Sequence, residues 1–89
     1  LWMSPHFQRD SIGIHFTWKK VDAVYEMVKV VEAVLAPFNY RPHIGKVYSA
    51  SPEYLRKVMP MMQEFVQLVK EIDPTNKFGN VMTDRLLGR

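Results

Sequence analysis

The spacing of apolar residues changes period near Lys19, and that change constrains the fold more than any other feature of the chain. From Ser11 the residues alternate, with Ile12, Ile14, Phe16 and Trp18 on one side and Gly13, His15 and Thr17 on the other. Alternation over good β-formers predicts a half-buried strand across 11–18. Beyond it, Val21, Val24, Tyr25, Val28, Val31 and Leu35 recur at three- and four-residue steps, while Asp22, Glu26 and Lys29 lie off that stripe. This is the pattern of an amphipathic helix. Pro37 ends it, because proline disfavours helical geometry in the residue before it.

Residues 44–48 read as a second strand. Ser51-Pro52-Glu53 then supplies an N-cap, a first-turn proline and an early carboxylate, a consistent helix start. Leu55, Val58, Met59, Met62, Phe65, Val66 and Val69 form the apolar stripe of that helix, which Pro60 must kink or restart. Asp73-Pro74 closes it, and 78–89 reads as an irregular tail. The expected class is α+β, a strand-helix-strand-helix segment completing a larger mixed or antiparallel sheet covered by helices. Ile12, Ile14, Phe16 and Trp18 are expected to pack on Val24, Val28 and Val31. If the two strands are parallel, the crossover is right-handed. Two strands alone leave both sheet edges free, so further strands are expected from upstream sequence or a second copy.

At 89 residues the chain is at most one small domain, burying roughly 60–65% of the surface its unfolded form exposes. The absence of cysteine removes disulfides, thiolate catalysis and cysteine zinc sites. The net charge of +3 comes from scattered lysines and arginines interspersed with carboxylates. No basic stripe marks a nucleic-acid surface. No apolar run approaches a membrane span and no leader pattern opens the chain. A cytoplasmic location is expected. Leu1 is not a translation start, which implies processing or a longer parent polypeptide.

His15 and Thr17 are two apart on the first predicted strand and share a face, about 7 Å from each other. Gly13 on that face favours close approach of a ligand or another backbone. On the second, His43 and Lys46 are three apart and point to opposite faces of a regular strand unless Gly45 introduces a bulge. Lys46 is the better pocket candidate, because its ammonium can donate to a substrate hydroxyl or an anionic group. His43 is expected to face away and to be the milder site of substitution. Three histidines without carboxylates or cysteines at ligand spacing do not make a metal centre. Met59, Met61 and Met62 read as core filler, and no nucleotide-loop or nucleophile-elbow signature is present. On these residues alone, a small standalone α+β interaction module that pairs strands with a partner is the alternative to an enzyme.

A set of short motifs adds to this reading. Leu1 to Pro5, His15-Phe16-Thr17-Trp18, Ala36-Pro37-Phe38, Arg41-Pro42-His43-Ile44-Gly45-Lys46, and Asp73-Pro74 through Phe78 and Asn80 occur in one order over nearly the whole chain. Together they resemble the C-terminal, substrate-side region of the FAD-dependent alditol oxidase and sugar-1,4-lactone oxidase family, relatives of the vanillyl-alcohol oxidases. Ile44 departs from the tryptophan found there in many relatives. The resemblance implies a C-terminal part of the substrate (cap) domain over 1–89, with the FAD-binding domain outside this chain. It also implies oxidation of a CH–OH group by hydride transfer to flavin, with oxygen or another acceptor reoxidising it. His15 and Lys46 match catalytic positions in that family, and His15, Thr17 and Lys46 match positions that bind polyol or lactone hydroxyls. The implied partners are the rest of the oxidase polypeptide and a small polyol or sugar-lactone substrate, with FAD as cofactor.

Overall fold

A computed structural model describes all 89 residues. It contains four α-helices, one 3-10 turn and no β-strand, so the expected α+β class is wrong. A strand exists only where its backbone N–H and C=O groups meet a neighbouring ladder, and neither 11–18 nor 44–48 finds one. Residues 11–20 are exposed throughout. The alternation survives only locally, in a stack of the Phe16 and Trp18 rings with centroids 5.4 Å apart. Ile12 is 91% exposed, so the expected packing of its face against the first helix does not occur either.

The chain divides into two compact units, 4–50 and 51–89 with 1–3. In the first, α1 (Ala23–Leu35) runs into a 3-10 turn (Ala36–Phe38) that contains Pro37. Asn39 ends the turn in the left-handed region (φ 52°) and its N–H donates to the Ala36 carbonyl. One side of α1 carries the buried Val28 with half-buried Val24, Val31 and Leu35. A second apolar stripe of Met27, Val30 and Val34 is exposed.

Side chains, rather than a sheet, tie the loops of this unit to its helix. Both Glu32 carboxylate oxygens accept from the Ser49 N–H at 3.0 Å, and one also accepts from the Ser49 hydroxyl. Arg41 donates to the Phe7 and Pro5 carbonyls, and Arg9 donates to the Asn39 carbonyl at 2.9 Å. Partial burial, then the neighbouring Arg9 charge, lowers the Arg41 pKa.

Glu32→Ala is expected to destabilise the unit by about 1.5–3 kcal/mol, the range for a hydrogen bond to a charged acceptor. Glu26→Ala breaks only an exposed pair with Lys29 at 2.8 Å and is expected to cost about 0.3–0.5 kcal/mol. Urea midpoints of the two variants compare them, and equal shifts would discard the Glu32 tie.

In the second unit the Ser51 hydroxyl accepts from the Tyr54 N–H at 3.2 Å and opens α2 (Pro52–Val58). The Glu53 carboxyl is held below the usual carboxylate range, first by its own backbone N–H and then by the Ser51 hydroxyl. The Pro60 break falls where the sequence predicts it, and α3 (Met62–Ile72) follows. The Asp73 carboxylate then accepts from the Lys77 and Phe78 N–H groups at 2.7 and 3.0 Å, shaping the turn after α3.

The tail is not irregular. Residues Val81–Leu87 form α4, opened by a reciprocal capping box. Asn80 accepts from the Met82 and Thr83 N–H groups, and the Thr83 hydroxyl accepts from the Asn80 N–H. Gly88 closes the helix at φ 70°, a conformation that favours glycine. Helices α2, α3 and α4 meet around Leu55, Val58, Met59, Met62, Leu86 and Leu87, all buried. Met59 and Met62 are thus core filler, as expected.

Candidate functional site

The 4–50 unit carries all three residues singled out from the sequence. His15 and Thr17 lie on the exposed segment 11–18, and Lys46 is exposed at the end of a turn. No hydrogen bond, ion pair or ring contact joins His15 or Thr17 to Lys46. The structure therefore offers three polar groups on one unit without assembling them into a closed pocket. A shallow, open cleft lies elsewhere, between Trp2 and α3 residues Gln63, Gln67, Leu68 and Glu71.

The turn at Lys46 has defined geometry. The Lys46 N–H donates to the His43 carbonyl at 3.0 Å, so Ile44 and Gly45 are the central residues of a four-residue reversal. The His43 ring folds back, and its Nδ1 accepts from the Gly45 N–H at 3.0 Å. A backbone N–H can only donate, so Nδ1 is the unprotonated nitrogen and Nε2 carries the proton. A Cβ at Gly45 would sit 3.1 Å from His43 Cε1 and 3.3 Å from Nδ1, a tight contact that the exposed ring would relieve by moving a few tenths of an ångström.

This turn corrects the placement of His43 and Lys46 on opposite faces of a strand. The two belong to one hydrogen-bonded reversal, and the face argument does not apply. Chemically, the turn presents an ammonium with three donors on a flexible stem. Such a group suits an oxygen-rich ligand or a developing negative charge.

Sequence reasoning missed two further residues, Arg9 and Arg41, which lace the opening loop to the backbone before the turn. Neither lies in a helical pattern, and nothing in the local sequence marks a backbone carbonyl as the target of a distant guanidinium.

The profile of the D-arabinono-1,4-lactone oxidase family matches residues 1–86. The chain belongs to that family, as the order of short motifs implied. Among individual relatives, an alditol oxidase of Streptomyces sp. (strain IKD472 / FERM P-14339) is 40% identical over 87 residues, covering 97% of this chain and 21% of the relative. The chain thus spans about a fifth of the length of that protein. No helix is long and apolar enough to cross a membrane.

Proposed function

We propose that these 89 residues are the C-terminal part of the substrate domain of an FAD-dependent oxidoreductase that oxidises a CH–OH group of an alditol or aldonolactone. The observation that carries the reading is the 40% identity over 87 residues to an alditol oxidase. The exposed side of Ile12, Ile14, Phe16 and Trp18, and the bare stripe of Met27, Val30 and Val34 on α1, support a further body of protein as partner. Apolar surface of that extent on a small unit ordinarily marks an interface. The FAD-binding domain then lies in the rest of the polypeptide.

The polar residues suit a carbohydrate-like substrate in type. The Thr17 hydroxyl and the His15 ring offer both donor and acceptor capacity, matching hydroxyl groups that do the same. The exposed Lys46 ammonium suits the substrate oxygen and the electron-rich edge of a flavin ring. FAD, when bound, supplies the acceptor for the hydride, and oxygen or another acceptor restores it. Lys46 and His15 are the residues assigned to stabilise charge developing on the substrate oxygen. Thr17, with His15 and Lys46, orients the polyol or lactone.

Because this reading assigns flavin binding to the rest of the polypeptide, the purified 89-residue chain is expected to retain no flavin after dialysis from FAD. It is likewise expected to leave xylitol, sorbitol and sugar lactones unoxidised. A stoichiometric yellow complex in the visible spectrum would refute the assignment of flavin binding to the remaining polypeptide.

A further inference from the structure

We propose that His43 is a positioning residue for Lys46, acting through the turn that the two share. The inference rests on the reading of Lys46 as a substrate-side donor, and it reverses the expectation that His43 is a remote, mild site.

Three observations converge on His43. Its Nδ1 accepts from the Gly45 N–H at 3.0 Å. Its carbonyl accepts from the Lys46 N–H at 3.0 Å. The ring also packs closely over Gly45, 3.1 Å from the site of a Cβ there. His43 therefore holds both N–H groups that define the reversal, one with its side chain and one with its backbone.

Such a side-chain bond from residue i to the N–H of residue i+2 is the arrangement that asparagine and aspartate make in an Asx turn. Here the imidazole Nδ1 takes the place of the carboxamide oxygen. The bond orients the peptide between Ile44 and Gly45, and the next residue to leave the turn is Lys46. Without it the Gly45 peptide is free to rotate, because glycine imposes little conformational restraint of its own. The Lys46 Cα and the direction of its stem then lose their reference. The position at which the ammonium meets an oxygen is thereby linked to a ring that need not touch substrate.

The test compares His43→Asn, His43→Leu and Lys46→Met in the full-length flavoprotein. Asn keeps the acceptor for the Gly45 N–H, and Leu keeps bulk but has no acceptor. The first readout is hydrogen exchange at the Gly45 amide, resolved by fragmentation mass spectrometry, which needs no turnover. Protection is expected in the wild type and in His43→Asn and is expected to be lost in His43→Leu. The second readout is stopped-flow flavin reduction by the best polyol or lactone substrate. His43→Leu is expected to slow reduction on the order of 10²-fold, as a misplaced catalytic group does, and His43→Asn is expected to stay close to the wild-type rate.

Equal exchange at Gly45 in His43→Leu and wild type would overturn the cap. Failure of His43→Asn to restore the rate, or a wild-type rate in His43→Leu beside a slow Lys46→Met, would overturn positioning. A wild-type rate in Lys46→Met would instead remove the assigned role of Lys46, and with it the function that His43 is proposed to serve.

Discussion

Lys46→Met in the full-length flavoprotein is expected to slow flavin reduction by about 10²–10³-fold, or roughly 3–4 kcal/mol, the loss found when one fixed electrostatic donor is removed from a reacting oxygen. Methionine keeps the apolar length of the stem and deletes the charge, so the comparison isolates the ammonium. Folding and flavin content are expected to stay nearly intact. The side chain is exposed, it forms no ion pair within the chain, and substitutions at such places rarely move stability by more than about 0.5 kcal/mol. What the turn needs from position 46 is its backbone N–H, bonded to the His43 carbonyl at 3.0 Å, and methionine retains it. Stopped-flow absorbance under anaerobic conditions measures the rate directly. A wild-type rate with normal flavin content would show that the ammonium lies outside the substrate cavity.

The largest expected loss of stability is at Leu55. This residue is 1% exposed and lies on α2, which contacts both α3 and α4. Leu55→Ala removes buried methyl groups from the place where the three helices meet, and such substitutions cost about 2–5 kcal/mol through lost transfer energy and the cavity left behind. A chain of 89 residues has roughly 4–13 kcal/mol of total stability, so the variant loses a large part of it. Leu68→Ala is the control. Leu68 is 41% exposed on α3, and its truncation is expected to cost about 1 kcal/mol or less. Urea denaturation followed by circular dichroism compares the two. Equal midpoints would mean that the 51–89 helices do not share a core at Leu55.

The helices were legible because their signals are local. Three- and four-residue spacing marks α1 and the stripe of α2 and α3, Ser51-Pro52 marks a start, and Pro60 marks the break between them. The same kind of signal stood unread before α4: Asn80 with Thr83 three residues on is a capping box, and Gly88 is a C-terminal stop. The family was legible too, through five short motifs spread along the chain, and the match over residues 1–86 agrees with it.

By itself, then, the sequence determined where helical segments lie, which chemistry-bearing residues are available, and the family to which the chain belongs. Only the tertiary structure decided whether alternating runs become strands. Alternation shows which side chains share a side, but a strand requires a second backbone to take up its N–H and C=O groups, and no residue pattern within 11–18 or 44–48 supplies one. The tertiary structure also decided the surroundings of Lys46. A spacing of three residues places His43 and Lys46 on opposite sides of a straight strand. In the turn, the carbonyl of one and the N–H of the other close a single hydrogen-bonded reversal, because the Gly45 amide found its acceptor in the imidazole ring rather than in a neighbouring strand.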